Sequence, residues 1–258
     1  DLSGKGHHVS QSVSNLLPEF FVNEQNNHGV IGFEGSLLSM TTFKDWPTDH
    51  ITIFIVQKSA IKQQSTMAIV DPDEDRFFNL HIPWGSSIIY WDYGRTEDSY
   101  GRLYESITSA GTSFSEDNYY IYEFSYGANS SQNSANNGQT YMEINKNAVL
   151  LDYGPRSVTV PNDINAPGAG YIFNIGEDDS DLDRSFKGNI AEILIFKKDL
   201  TRGESVKINA YLSKKWGLNS SVDSDQDAVV DILDLSPAGL ITEPNPVLFK
   251  VVFEDEAG

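Results

Sequence analysis

The stretch "GNIAEILIFKKDLTRGESVKINAYLSKKWGL" (188–218) sets two periodicities side by side. Residues 188–196 start at a glycine and are dense in β-branched and other apolar side chains, which suits a strand. The remainder predicts a helix. Thr201 and Glu204 have capping-box spacing, in which two side chains satisfy orphan backbone N–H groups at the helix start. Lys214 and Lys215 stand in the last turn, where cations suit the dipole, and Gly217 can take the left-handed conformation that ends a helix. Ile208, Tyr211, Leu212 and Trp216 recur at i, i+3, i+4 and i+8, a stripe expected to pack onto a sheet.

Further strand-like runs lie upstream. In "HITIFIVQKS" (50–59), Ile51, Ile53 and Ile55 alternate with Thr52, Phe54 and Val56, which suits a strand buried on both faces. "SSIIYWDYG" (86–94), "NYYIYEFSYG" (118–127), "TYMEIN" (140–145) and "GYIFNIG" (170–176) are similar and are bounded by Gly, Asn and Asp. Many short strands and a single helix argue for an all-β sandwich over a βαβ design.

The chain has 258 residues, enough for one large domain with appendages. Its 18 basic and 37 acidic residues give a net charge of −19, which disfavours nucleic acid and anionic membranes and favours cations. There is no cysteine, so thiolate chemistry is excluded. No apolar run reaches the roughly 18 residues of a membrane-spanning helix, and no leader pattern is present. The segment "GANSSQNSANNGQ" (127–139) reads as a surface loop, and the composition changes after residue 218. The expected organisation is a domain over 1–218, an aspartate-rich calcium-binding linker over 219–240, and a tail or the start of a following module over 241–258. The whole reads as a piece of a longer chain.

Three stretches carry a resemblance. They are "DLSGKGHHVSQSVSNLLPEFF" (1–21) followed by "GVIGFEGSLLSM" (29–40), then "IIYWDYGRTEDSYGRL" (88–103), and above all 173–218. In this order they resemble bacterial laminin-G-like domains of the concanavalin A-like lectin and glucanase group. The resemblance implies a jelly-roll sandwich of two antiparallel sheets with one short C-terminal helix. Members of that group bind glycans or proteins or act as spacers, so the fold does not choose the ligand. The related glucanases use a strand of the form E-x-D-x-(x)-E. The nearest match, Glu177-Asp178-Asp179-Ser180-Asp181, lacks the final Glu, so catalysis of that kind is disfavoured.

In "DSDQDAVVDILD" (223–234), Asp223, Asp225 and Asp227 fall at positions 1, 3 and 5 of a twelve-residue loop. Val229 could offer its carbonyl at position 7, and Asp231 and Asp234 stand at 9 and 12. This is the oxygen-ligand spacing of an EF-hand-type Ca²⁺ loop. Ala228 replaces the usual glycine at position 6, and Asp replaces Glu at 12. The segment also resembles the thrombospondin type 3 calcium repeats that stiffen extracellular linkers.

Asp178, Asp179, Asp181 and Asp183 form a second acidic group, beside Arg184, and could hold another Ca²⁺. Among the aromatics, alternation puts Ile89, Trp91 and Tyr93 on one face, the pattern of core. That leaves Trp84 and Tyr100 as stacking candidates for a sugar, with Asp92, Arg95 and Asp98 as hydrogen-bonding partners. The five histidines form no metal pattern, and no hydrolase or phosphate-loop motif is present.

The expected function is a Ca²⁺-dependent carbohydrate-binding, lectin-like module of a bacterial surface adhesin or secreted multidomain protein. Its partners would be glycans at a cell or matrix surface, in an extracellular setting. The alternative is a peptide- or protein-binding adhesion module of the same fold. A glycan-cleaving enzyme ranks third.

Overall fold

The computed structural model describes residues 4–41, 43, 45–70, 76–95, 100–128, 139–177, 184–239 and 250–251. In chain order the strands are β1 (Glu19–Gln25), β2 (His28–Glu34), β3 (Leu38–Met40), β4 (Ile51–Ser59), β5 (Met67–Val70), β6 (Arg76–His81) and β7 (Ile88–Arg95). They continue as β8 (Tyr100–Ser106), β9 (Tyr120–Gly127), β10 (Tyr141–Lys146), β11 (Val149–Pro155), β12 (Ile172–Ile175), β13 (Lys187–Phe196) and β14 (Lys250–Val251). One α-helix, α1 (Arg202–Lys215), occurs among the described residues.

The strands form two sheets with antiparallel pairing throughout. The larger has the order β1-β2-β13-β4-β9-β10-β11, and the smaller β3-β12-β5-β6-β7-β8. β4 and β13, far apart in the chain, lie side by side in the larger sheet, as a wound sandwich requires. β14 pairs with the second half of β13, beyond the point where β2 stops. This is the two-sheet sandwich with one helix that the strand runs and the capped helix predict.

The core sits between the sheets. From the larger sheet come Ile53, Ile55, Tyr122, Phe124, Ile144 and Ile193; from the smaller come Phe78, Leu80, Trp91, Tyr93 and Phe173. Edge-to-face aromatic contacts join the layers, as between Trp91 and Phe124, whose ring centres are 5.7 Å apart. Trp91 and Tyr93 are fully buried, as their alternation predicts.

The outer side of the larger sheet is buried as well. Phe54, Val56, Leu194 and Phe196 pack there against Leu212, Trp216, Leu218 and Val222. β4 therefore buries eight of its nine residues, which accounts for its unbroken apolar run. Gly188 of β13 shows how close the strands come, because a Cβ there would sit 2.1 Å from the carbonyl oxygen of Lys58.

Helix α1 begins as the sequence predicts. The Thr201 side chain accepts from the Glu204 N–H and the Glu204 side chain accepts from the Thr201 N–H, a complete capping box. Gly217 takes φ +67° at the far end. The predicted stripe needs one correction. Leu212 and Trp216 are buried and Ile208 is partly so, but Tyr211 is 41% exposed. Its place under the helix is taken by Val206, Asn209 and Ser213. The reason is Glu192, a buried β13 carboxylate beneath the C-terminal half of the helix. It accepts from Lys215 Nζ (2.9 Å) and Trp216 Nε1 (2.7 Å), while the Tyr211 hydroxyl donates to it from the edge at 3.4 Å.

Lys146 closes one end of the inter-sheet core. Its ammonium donates to the carbonyls of Ile107 (2.8 Å) and Ser113 (2.6 Å) and lies 4.4 Å from the centre of the Tyr120 ring. Burial pulls its pKa down from 10.5 to about 8. The unfolded chain therefore binds more protons between those values, so the contribution of Lys146 to stability rises with pH through that window and is smallest below it. Urea unfolding at pH 7.5 and pH 10 should show wild type gaining stability relative to Lys146→Met. Identical changes in both proteins would mean that Lys146 titrates as an exposed lysine does.

Candidate functional site

The acidic loop is built onto the helix-covered side of the larger sheet. Val222 is fully buried in that outer core, and backbone bonds from Asp231 N to Val222 O (2.8 Å) and from Ile232 N to Asn219 O (2.8 Å) close the loop behind it. Arg202, in the first turn of α1, donates to the Asp225 carbonyl (3.2 Å) and to Gln226 Oε1 (3.1 Å). Gln226 Nε2 in turn donates to the carbonyl of Ala148, at the β10–β11 turn. The loop thus touches both the helix and the sheet.

Within it, Asp223, Asp225 and Asp227 each offer an oxygen, and the three oxygens lie within 4.8 Å of one another. The loop is shaped by its own carboxylates: Asp223 accepts from Ala228 N (2.9 Å), Asp225 from Asp227 N (3.3 Å) and Asp227 from Val229 N (2.8 Å). Partial burial raises the pKa of Asp225, and the charges of Asp227, Asp234 and Asp223 raise it further. Asp234 therefore adds its field to the trio. Its Oδ2, like Oδ1 of Asp223, is buried without a hydrogen-bond donor. The donor set is all oxygen, the kind hard cations such as Ca²⁺ take.

Asp231 does not join this group. Its carboxylate accepts from Ser224 N (2.8 Å), Ser224 Oγ (2.8 Å) and the hydroxyl of Ser213 on α1. It is a latch between loop and helix, and the alternation of aspartates in the sequence conceals the difference. Val229, whose carbonyl the spacing put at position 7, is 38% exposed.

A second constellation lies on the outward face of the smaller sheet, opposite the helix. The register places His81 of β6, Tyr90 of β7 and Tyr104 of β8 side by side in one row. The rings follow that row: His81 and Tyr90 are 6.1 Å apart, and Tyr90 and Tyr104 are 5.7 Å apart with their planes 31° from parallel. Trp84, partly exposed, meets the His81 ring edge-on at 4.6 Å. Tyr104 is 58% exposed. In the next row Asp92, 1% exposed, faces Arg102, which donates Nε (2.5 Å) and Nη2 (2.6 Å) to its two oxygens. The guanidinium also covers Tyr90, 5.1 Å from the ring centre.

Of the proposed sugar-contacting residues, Trp84 and Asp92 belong to this face. Asp92 is buried beneath Arg102, which puts Arg102 and not the carboxylate at the surface. Arg95 is at the far end of β7, where its backbone exchanges hydrogen bonds with Thr159. Tyr100 is placed only by its backbone pairing with Arg95. Asp98 and the second acidic group, Asp178, Asp179, Asp181 and Asp183, lie outside the described residues. Sequence reading passed over Tyr90, Tyr104 and Arg102. The signal was available for Tyr90, since Ile89 and Trp91 point inward and their neighbour must point out.

Two larger grooves, of about 440 and 610 Å³, lie elsewhere. The first is lined by paired charges such as Lys187 and Glu34, the second mainly by turn residues with Tyr119 and Tyr120. Neither has a row of outward rings.

No protein-family model and no curated protein sequence matches the chain. Solved structures do. The binding domain of the Paraclostridial mosquitocidal protein 1 superposes with a TM-score of 0.52 at 8% identity, covering 85% of this chain and 49% of that one. The receptor-binding domain of botulinum neurotoxin D gives 0.50 at 12% identity, over 81% and 48%. The chain thus spans about half the length of either toxin domain. A Ruminococcus gnavus sialidase module of the CBM40 type, solved with α2,3-sialyllactose, gives 0.42 at 13% identity, over 60% and 79%. The two toxin likenesses establish the sandwich fold and not a family within it.

Ala228 takes φ +76°, a left-handed conformation that costs a residue with a Cβ about 1 kcal/mol. This is the loop position where the EF-hand pattern has glycine. Ala228→Gly should leave the fold unchanged and raise stability by roughly 0.5–1 kcal/mol in urea unfolding. A loss of stability would show that the positive φ is not strained.

Proposed function

We propose that this chain is a carbohydrate-binding module whose sugar platform is the outward row of His81, Tyr90 and Tyr104, extended by Trp84 against His81 and with Arg102 beside it. The row of rings carries this reading. Adjacent strands are about 4.8 Å apart, so rings in register make a ledge on which the apolar faces of successive sugar residues can stack. Arg102 supplies N–H donors for hydroxyls at the edge of the ledge. Its charge is balanced by Asp92, and the chain as a whole carries −19, so the platform favours uncharged glycans over sialylated or sulfated ones. The toxin domains that share the fold are binding domains by name, which agrees with a binding module rather than a catalyst.

Calcium enters this reading as a structural ion. The aspartate loop lies against the helix and the larger sheet, on the other side of the sandwich from the tyrosines. A Ca²⁺ held by Asp223, Asp225, Asp227 and Asp234 would tie α1 to the β10–β11 turn, and it would not touch a sugar on the smaller sheet. Millimolar calcium is an extracellular condition, and this supports a secreted or surface setting.

The binding test is a glycan array probed with wild type and Tyr104→Ala, in calcium and in chelator, below the unfolding temperature. Neutral glycans should be retained in both buffers. Titration of the best one should show roughly tenfold weaker binding by the variant, the scale of one lost aromatic contact. Equal affinity would move the site off this face, and preference for sialylated glycans would overturn the charge argument. Retention of no glycan would turn the reading toward a peptide ligand.

The calcium test is thermal. With Ca²⁺ at about 100 times Kd the gain is about 2.7 kcal/mol, or roughly 5–10 °C for a domain of this size. Asp225→Asn should lose that part of the shift which the loop contributes. An unshifted wild type would make the loop a solvated acidic segment.

A further inference from the structure

Between α1 and the outer face of β9 and β10 lies a small cavity of about 50 Å³. Glu123, Glu143 and Asn209 line it, and none is more than 7% exposed. Glu123 pairs across the strands with Asn145, and Glu143 with Ser125, so the two glutamates are diagonal neighbours on one face.

The contrast with Glu192 is instructive, because both carboxylates are buried beneath the same helix. Glu192 has the ammonium of Lys215 at 2.9 Å. Glu123 is met by neutral donors only, Nδ2 of Asn209 at 3.2 Å and the hydroxyl of Ser205. Burial raises its pKa to about 7, with smaller upward contributions from Glu143 and Asp199. Asn209 is the independent sign that something is missing. Its Nδ2 donates to Glu123 and to the Ser205 carbonyl (3.1 Å), which fixes the amide orientation, and its Oδ1 is buried with no donor. A native core seldom leaves such an oxygen unsatisfied.

We propose that this cavity is a second cation site, in which Glu123, Glu143 and Oδ1 of Asn209 coordinate a hard divalent ion, Ca²⁺. The coordinating atoms are all oxygen, two of them from carboxylates, and calcium accepts irregular geometry of this kind. Arg202 also lines the cavity, but its guanidinium donates to the Asp225 carbonyl and to Gln226 Oε1. The space suits one ion with about one water. The site pins the middle of α1 to β9 and β10. It shares no ligand with the aspartate loop, so it stands whether or not that loop binds calcium.

Native mass spectrometry of the whole chain in 1 mM calcium counts the ions directly. The expected result is that Glu123→Gln/Glu143→Gln carries one calcium fewer than wild type, while Asp225→Asn keeps the cavity ion. An equal count in wild type and the double variant would overturn the proposal, and so would a wild type whose only calcium is removed by Asp225→Asn. If circular dichroism shows the double variant unfolded, the reading passes to Asp225→Asn itself. Calcium should then slow amide exchange in 205–213 at least tenfold, and exchange unaffected by calcium would reject the site.

Discussion

A sheet buried on both faces leaves its polar side chains no water to turn to, and the larger sheet of this sandwich is built around that constraint. Thr52 resolves it by donating to the Lys198 carbonyl and accepting from Leu200 N, which also fixes the chain leading into α1. Glu192 resolves it with Lys215 and Trp216 and so sets the rotation of the helix. Removing one partner from a buried pair of this kind typically costs about 3–5 kcal/mol, far more than a surface ion pair is worth. Glu123 and Asn209 are where the protein's own side chains leave the constraint unmet, which is why an ion is inferred there and not beside Glu192.

Two-sided burial also divides the labour of the fold. The helix, the aspartate loop and the buried carboxylates Glu123, Glu143 and Glu192 all belong to the larger sheet and act on stability. Among the described residues no helix covers the smaller sheet, and its outward side chains at β7 and β8 form the proposed platform. The proposed ligand on Tyr104 and the proposed ion at Asp225 would therefore address opposite sides of one core. They can influence each other only through the stability of the sandwich between them.

Local patterns carried several elements. The alternation of Ile51, Ile53 and Ile55 against Phe54 and Val56 identifies a doubly buried strand because each set has its own core to enter. The capping box at Thr201 and Glu204 is legible because it closes within four residues. The exposure of Tyr211 is not legible in the sequence, because an apolar stripe does not reveal which of its members will find a buried carboxylate. Asp231 looks like its neighbours in sequence and differs from them only because Ser213, on another element, lies within reach.

By itself the sequence determined the strand and helix types, the inward set of aromatics, the absence of thiol chemistry and the crowding of carboxylates over 223–234. These depend on periodicity, capping and composition, which act over a few residues. The tertiary structure alone decided which strands become neighbours, and with that the row from His81 through Tyr90 to Tyr104, the burial of Asp92 under Arg102, and the meeting of Glu123 with Asn209. Those juxtapositions depend on cross-strand register and on the seating of one helix, which are settled by burial summed over the whole core and leave no trace in local spacing.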